Sequence, residues 1–185
     1  HTDIAKNKME VIYQGVDTDV FSPTTESDES LYLHVGSELE RKNIKGLFEI
    51  FEKIKAEEPD ARLVRVGNMT RKSQKYLEKS SLDENDVIYR TNINQEELIS
   101  LYSKANVLLF PSMDEGFGRP MIESLACGTP ALAYDQPPMS EILPEIMLCE
   151  GQNTFVEKRN LKVSESECRD IAKKFSWNKT AEKVH

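Results

Sequence analysis

Short apolar segments alternate with amphipathic helical segments along most of this chain, and no other feature limits its possible folds as much. Apolar runs with the length of strands lie at 31–36, 61–67, 87–89, 107–110 and 131–134. Helical patterns separate them at 44–57, 71–80, 95–104 and 120–126. Strands that alternate with helices form a parallel sheet through right-handed crossovers, with helices on both faces. The sequence therefore predicts an α/β fold with a Rossmann-like, doubly wound parallel sheet.

The two ends of the chain are less regular. The polar stretch at 22–30, which includes Asp28, predicts a surface loop, and residues 146–149 predict a last strand. Helices are predicted at 164–175 and 177–184. Sheets of this type bind ligands beyond the carboxyl ends of their strands, so functional residues are expected in the loops that follow the strands.

The composition excludes several classes of function. The chain has 185 residues, enough for one domain with a real core, and a net charge of −8, which argues against nucleic-acid binding. It contains no apolar run long enough to cross a bilayer and no signal-peptide core. Its three cysteines are widely spaced, so neither a metal site nor a disulfide framework is indicated. These features predict a cytoplasmic protein without a metal or a resident cofactor.

The segment 111–130, PSMDEGFGRPMIESLACGTP, is the most informative part of the sequence. Gly116 and Gly118 permit tight backbone conformations between a strand and a helix. The amides around Phe117 and Gly118 would then point outward from a helix N-terminus, which is a binding site for phosphate oxygens. An ordinary connection between a strand and a helix would show the same glycines.

Two carboxylates, Glu115 and Glu123, frame this glycine turn. Glu123 falls near the start of the helix, where its side chain could accept hydrogen bonds from the two hydroxyls of a ribose. Glu115 lies in the loop, where it could orient the hydroxyls of a sugar ring. The alternative for Glu123 is a carboxylate that stabilises the N-terminus of its own helix.

A second candidate cluster, at 36–43, follows the first predicted strand and also leads into a helix. It contains Arg41 and Lys42, two cations that could neutralise a diphosphate. The alternative is a solvated cationic pair in a loop. Both loops should leave the same edge of a parallel sheet, so the sequence predicts that these cations and the glycine turn converge.

Together these segments resemble the donor-site signature of glycosyltransferase family four, which comprises retaining enzymes of the GT-B fold. The signature residues are Glu115, the Gly116, Phe117 and Gly118 turn, Pro120, Glu123 and the run at 126–130. Segments at 11–21, 33–47, 97–106 and 175–184 extend the resemblance over nearly the whole chain.

The resemblance implies roles for individual residues. Lys42 and Glu115 would be the catalytic residues. The donor-binding residues would be Gly36, Ser37, Arg41, Gly116, Phe117, Gly118, Glu123 and Arg90. The segment 89–94 would border the nucleotide base. No metal is required in the family's scheme. Many relatives carry arginine directly after the glycine where this chain has Ser37, and Arg41 could substitute for that charge.

The resemblance also implies a domain organisation. Residues 1–25 would be an interdomain linker and 26–185 the nucleotide-sugar-binding C-terminal domain of a GT-B glycosyltransferase, while an N-terminal acceptor domain is absent from this chain. The whole enzyme would move a mannose-type or glucose-type hexose from a GDP-linked or UDP-linked donor to a glycan or a lipid-linked acceptor. It would bind no nucleic acid. The missing domain could attach it peripherally to the inner face of a membrane, and the isolated domain would be inactive.

Other functions remain open at the level of the sequence. One alternative is a binding module for nucleotide sugars that has no catalysis of its own. Another is a related enzyme of the same fold, such as a sugar-nucleotide epimerase or a phosphorylase. The last is an unrelated doubly wound domain, for example a flavodoxin-like one.

Overall fold

The computed structural model describes residues 11–25 and 27–184 and has one parallel sheet of six strands in the order β3-β2-β1-β4-β5-β6. The strands are β1 (Asp28–Val35), β2 (Arg62–Val66), β3 (Val87–Arg90), β4 (Ala105–Phe110), β5 (Ala131–Tyr134) and β6 (Leu148–Cys149). The helices are α1 (Ile44–Glu57), α2 (Arg71–Leu77), α3 (Gln95–Lys104), α4 (Arg119–Ala126), α5 (Met139–Ile142), α6 (Gln152–Lys158), α7 (Glu165–Ala172) and α8 (Trp177–Val184). The predicted Rossmann-like, doubly wound fold class is confirmed.

The sheet separates two apolar layers, as the crossover rule requires. On one face α3, α4 and α7 cover residues such as Leu33, Leu108 and Ala131. On the other face α1 and α6 cover Tyr32 and Leu109, with the apolar side of α1 fully buried. Strands that are buried on both sides must be apolar along most of their length, which explains the continuous apolar runs in the sequence.

The strand order reverses between β1 and β4. From β1 the chain moves outward through β2 to β3, and it then crosses back through α3 to place β4 on the other side of β1. The carboxyl ends of β1 and β4 therefore flank a crevice at the edge of the sheet. Such a switch point is where open α/β sheets bind their ligands.

Several predicted boundaries were wrong, each for a local reason. Asp28 belongs to β1 rather than to a loop, because its carboxylate accepts hydrogen bonds from Ser30 and pairs with Arg62 at 3.1 Å on the adjacent strand. The last strand is shorter than predicted, since 145–147 form a 3-10 turn. The helix predicted at 164–175 changes to 3-10 geometry after Ala172. The short helices α5 and α6 were not predicted.

The segment before the sheet is joined to the C-terminal part of the chain. The Val16 amide donates to the Phe175 carbonyl at 2.7 Å, and Val16 forms a parallel bridge with Ser176. The Thr180 hydroxyl also donates to the Tyr13 carbonyl. The predicted linker at 1–25 is thus packed on the domain from Val11 onward, whereas 1–10 lie outside the described residues. None of the described helices combines the length and the apolar character needed to span a membrane.

Candidate functional site

The loop after β4 contains the predicted glycine turn. Gly118 has a φ of +88° and is the N-cap of α4, so this position requires the conformational freedom of glycine. Gly116 differs from the prediction, because its backbone is not left-handed and nothing lies within 4 Å of where a Cβ would stand. Gly116 therefore leaves open space rather than making a tight turn. The amides of Gly116, Phe117 and Gly118 donate to no acceptor among the described residues.

The loop after β1 is held by Asn43. This residue adopts a left-handed conformation (φ 53°), and its side chain accepts a hydrogen bond from the Gly46 amide and caps α1. Its Nδ2 donates to the Pro111 carbonyl at 3.2 Å, across to the loop after β4. The Met113 amide donates to the Arg41 carbonyl at 2.7 Å. These bonds fix the two loops beside each other at the switch point.

Two cations and one carboxylate meet between the loops. Lys42 Nζ lies 2.5 Å from Glu115 Oε1, and Arg41 Nη1 lies 2.9 Å from Glu115 Oε2. The side chains of Lys42 and Glu115 are only 9% and 5% exposed, whereas Arg41 is 40% exposed. The ammonium of Lys42 also stands 5.0 Å from the centroid of the Phe110 ring. The convergence expected from the sequence is therefore present.

These residues line an open cleft of about 480 Å³. Its lining includes Arg41, Lys42 and the turn at 115–118, and its other wall is the segment 11–14. Tyr13 is stacked on Phe117 with 5.6 Å between ring centroids, and Phe175 packs edge-on against both rings. The buried Phe117 ring thus anchors the glycine turn, while the backbone of the turn faces the cleft.

Glu123 lies beside this cleft, buried in the first half of α4. It accepts hydrogen bonds from the Tyr102 hydroxyl at 2.9 Å and from Arg119 Nη2 at 2.9 Å. Burial, together with the neighbouring carboxylate, raises the pKa of Tyr102 well above its ordinary value, so this hydroxyl stays a donor. A small pocket of about 190 Å³ borders Glu123 and shares Phe117 and Arg119 with the cleft. Glu123 is therefore separated from the cleft only by the side chains of Phe117 and Arg119.

The remaining predicted residues lie at the same sheet edge, outside the lining of the cleft. Gly36 adjoins that lining, because a Cβ on Gly36 would lie 3.6 Å from Cδ of Lys42. Gly36 and Ser37 follow β1 directly, and the Gly36 amide donates to the Val66 carbonyl. Arg90 ends β3, the edge strand, where it pairs with Val66. It is separated from β1 by the whole width of β2.

Sequence reasoning did not single out Arg65, although it is fully buried at the carboxyl end of β2. Its Nη2 lies 2.8 Å from Glu38 Oε1 and donates to the Gly36 and Ser37 carbonyls at 3.2 and 3.3 Å. The run 61–67 is apolar apart from Arg62 and Arg65, and the position of Arg65 between two valines was the signal that could have identified it.

His34 stands beside Arg65 in the sheet and is also fully buried. Neither of its ring nitrogens has a hydrogen-bond partner among the described residues. Burial lowers the pKa of His34 well below its ordinary value, and the charges of Arg65 and Lys42 lower it further. The imidazole is therefore neutral, and it adds no charge to the sheet edge.

A second, larger cleft of about 1190 Å³ lies at the opposite edge of the sheet, where β4 and β5 begin. Its lining carries the carboxylates Glu29, Glu165 and Glu167 and a single lysine, Lys162, which pairs with Glu29 at 3.0 Å. An acidic cleft at the amino ends of the strands does not suit a phosphate ligand. The smaller cleft at the switch point is the better candidate, because its cations and unbonded amides both suit an anion.

Comparison with known proteins shows the family to which the sequence is similar. The sequence profile described as "Glycosyl transferases group 1" matches residues 16–162. An uncharacterized glycosyltransferase of Methanocaldococcus jannaschii is 27% identical over 192 residues, which cover 94% of this chain and 51% of that protein. The O-antigen chain mannosyltransferase RfbU of Salmonella typhimurium is 32% identical over 143 residues, or 76% of this chain and 39% of that protein. The chain thus spans about half or less of the length of these relatives.

A solved structure shows the same fold. Sucrose-phosphate synthase from Thermosynechococcus elongatus superposes with a TM-score of 0.77 at 23% identity, over 95% of this chain and 50% of that one. Neighbours of this kind are GT-B glycosyltransferases, in which the parallel sheet and its flanking helices recur.

Proposed function

This chain belongs to the glycosyl transferases of group 1, and we propose that it binds the donor, a nucleoside diphosphate hexose, in the cleft at the switch point. One observation carries this proposal: Arg41, Lys42 and Glu115 form a cation–carboxylate cluster beside a glycine turn whose amides are unbonded among the described residues. Cations and free amides are the groups that bind phosphate oxygens.

The cluster suits an exchange of one anion for another. In the unliganded chain the single carboxylate of Glu115 pairs with both Arg41 and Lys42 and offsets one of their two charges. An arriving diphosphate takes over the ammonium of Lys42 and the guanidinium of Arg41, and Glu115 turns to the hydroxyls of the sugar. The buried position of Lys42 strengthens this exchange, since water screens its charge only weakly there.

The same groups act on the reaction itself. The bond between the sugar and the phosphate breaks toward an oxocarbenium-like state, and negative charge grows on the departing diphosphate. Lys42, Arg41 and the amides at 116–118 are already oriented to stabilise that charge. Glu123 holds the ribose with the oxygen lone pairs that Tyr102 and Arg119 leave free. The sugar keeps its anomeric configuration, as in the retaining enzymes of family four.

The whole protein would place an acceptor against this donor. We infer a transfer of a mannose-type or glucose-type hexose from a GDP-linked or UDP-linked donor to a glycan or a lipid-linked acceptor. The mannosyltransferase among the relatives supports the mannose form. Acceptor contacts would come from a second Rossmann-like domain, so the present chain alone binds donor without transferring the sugar.

Calorimetry on this chain with UDP, GDP and ADP tests the proposal. At least one of them should bind with a dissociation constant of about 1 mM or lower, that is, with a free energy of about −4 kcal/mol or better. Lys42→Ala should weaken binding of the diphosphate about tenfold or more and leave binding of the free nucleoside unchanged. Lys45→Ala is the matched control, because Lys45 lies three residues after Lys42, is exposed in the first turn of α1 and pairs with Glu49. Failure of all three nucleotides to bind would refute the proposal.

A further inference from the structure

A row of polar side chains lies buried at the carboxyl ends of β1, β2 and β3. His34, Arg65 and Tyr89 are direct neighbours across these strands and share the face covered by α1. The Arg65 guanidinium lies over the Tyr89 ring at 5.2 Å from its centroid. Arg65 is fully buried, and its Nε and Nη1 have no hydrogen-bond partner among the described residues. A buried charge with an incomplete set of hydrogen bonds destabilises the folded state, so its presence in this row indicates a function.

The partners of Arg65 lie in the loop that follows β1. Its Nη2 donates to the carbonyls of Gly36 and Ser37, and the same nitrogen pairs with Glu38 at 2.8 Å. The other oxygen of Glu38 accepts a hydrogen bond from the Thr70 hydroxyl at 2.9 Å. Gly67 makes this approach possible, because a Cβ there would lie 2.4 Å from Arg65 Nη1.

These bonds fix the direction of two peptide units. In a planar trans peptide the C=O and the following N–H point in opposite directions. Since the carbonyls of Gly36 and Ser37 face Arg65, the amides of Ser37 and Glu38 point away from the buried row. Neither amide donates a hydrogen bond to any described residue. Two successive amides that point the same way can both donate to one anion.

The ion-paired side chains at this edge of the sheet sum to a positive charge, which favours the binding of an anion. Among the ion pairs at this edge of the sheet, four cations, Arg41, Lys42, Arg65 and Lys72, stand against three carboxylates, Glu38, Glu40 and Glu115, in a chain whose net charge is −8. The neutral His34 beside Arg65 does not change this balance. The guanidinium stays charged when buried, because no ordinary pH deprotonates arginine in a protein.

We propose that Arg65 is a positioning residue for the diphosphate of the donor, because it orients the amides of Ser37 and Glu38 toward the phosphate and supplies positive charge from beneath the loop. It acts through the loop and does not touch the ligand. The proposal rests on the proposed donor function, and it explains how a chain with serine after the glycine can still bind a diphosphate there.

Binding measured with two ligands tests this role. Arg65→Lys keeps the buried charge but puts the ammonium on a shorter side chain, so it no longer reaches the two carbonyls and Glu38 as Arg65 Nη2 does. It should weaken the diphosphate of the best-binding nucleotide about tenfold, while the free nucleoside binds as before. Arg62→Lys is the matched control, because Arg62 is an exposed arginine on the same strand, paired with Asp28; it should change neither affinity. Equal losses for nucleoside and diphosphate, or no loss for the diphosphate, would overturn the inference.

A second variant, which keeps the shape of the side chain that it replaces, has the opposite expected effect on diphosphate binding. Glu38→Gln keeps the side-chain shape and an acceptor for Arg65, and its NH2 group can donate to the Thr70 hydroxyl oxygen, but it removes a negative charge beside the phosphate. The diphosphate should bind about threefold more tightly. Weaker binding would show that Glu38 and Arg65 only stabilise the loop.

Inorganic pyrophosphate separates this inference from the proposed function. In nitrogen-15 spectra of the 185-residue chain, pyrophosphate should shift the amides of Ser37 and Glu38, and the shifts should shrink in Arg65→Lys but not in Arg62→Lys. If no nucleotide binds but these shifts occur, the donor proposal fails and the anion site stands. If nucleotides bind while Ser37 and Glu38 do not respond to pyrophosphate, the inference fails and the donor proposal stands.

Discussion

At the scale of single residues, the proposed donor site predicts that Glu115 opposes the binding of a bare diphosphate and favours one that carries a sugar. Its carboxylate pairs with Arg41 and Lys42 in the unliganded chain. In Glu115→Gln both cations are freer, so a nucleoside diphosphate should bind about fivefold more tightly. The corresponding nucleotide sugar should gain nothing or bind more weakly, since the amide accepts sugar hydroxyls less well than the carboxylate.

The measurement is calorimetry with the diphosphate and its sugar conjugate on both proteins. Glu49→Gln provides the control, because Glu49 also pairs with a lysine, Lys45, but on the surface of α1 away from the cleft. Equal changes for the two ligands in Glu115→Gln would show that this carboxylate does not distinguish them.

His34 makes the free energy of unfolding depend on pH below the ordinary pKa of histidine. Its pKa is lowered in the folded chain, so the folded state binds fewer protons than the unfolded state, whose ordinary histidine pKa is about 6.5. The stabilisation is complete above that pH and is lost as the pH falls below it. From about pH 6.5 down to 5, the free energy of unfolding should drop by up to about 1.4 kcal/mol per pH unit.

Urea unfolding at several pH values measures this loss, and His34→Leu should remove it. His1 and His185 are present in both proteins, so the difference between them isolates His34. The carboxylates whose folded pKa is lowered, such as Asp28 and Asp86, act at more acidic pH. An unchanged slope in His34→Leu would contradict the assignment.

At the scale of elements, Asn43 both caps α1 and connects the loops after β1 and β4. Asn43→Ala removes the bond to the Gly46 amide and the bond to the Pro111 carbonyl, and it leaves alanine in a left-handed conformation. The three losses should sum to about 2–3 kcal/mol of unfolding free energy. Urea unfolding measures the change.

Asn94→Ala is the comparison, since Asn94 caps α3 in the same way but with an extended backbone (φ −80°). It should cost about 1 kcal/mol. If both variants lose the same amount, the left-handed backbone and the bridge between the two loops contribute nothing to stability.

Helices and strands also differ in how well the sequence predicts them. The strands were predicted from their apolar runs, and the helices α1 and α3 from an apolar periodicity that repeats over several helical turns. Both candidate loops were predicted from the positions where strands end. The helix α5 has only four residues, too few for a periodic pattern. In α6 the two buried residues, Phe155 and Val156, are adjacent and so show no helical spacing. Arg65 was missed because its partners are backbone carbonyls of another segment, and no spacing within the chain encodes that contact.

At the scale of the whole molecule, the segment 11–16 joins the cleft to the C-terminal helix. Gly15 lies against the backbone of Trp177, and Val16 is hydrogen-bonded to Phe175. Tyr13 extends the same segment to Phe117 in the glycine turn. A change that separates this segment from α8 should therefore also reach the wall of the cleft, although no residue that faces a ligand is altered.

Gly15→Ala makes that separation, because the added Cβ would stand 2.2 Å from the Trp177 amide nitrogen, a backbone atom that cannot rotate away. The free energy of unfolding should fall by about 1–3 kcal/mol, and hydrogen exchange at the Val16 amide should become faster as its bond to Phe175 opens. Gly151→Ala is the control, since nothing lies within 4 Å of a Cβ there; it should cost a few tenths of a kcal/mol at most, because Gly151 only caps α6. If Val16 keeps its protection in Gly15→Ala, the segment and α8 are not coupled, and the wall of the cleft is set by Tyr13 and Phe117 alone.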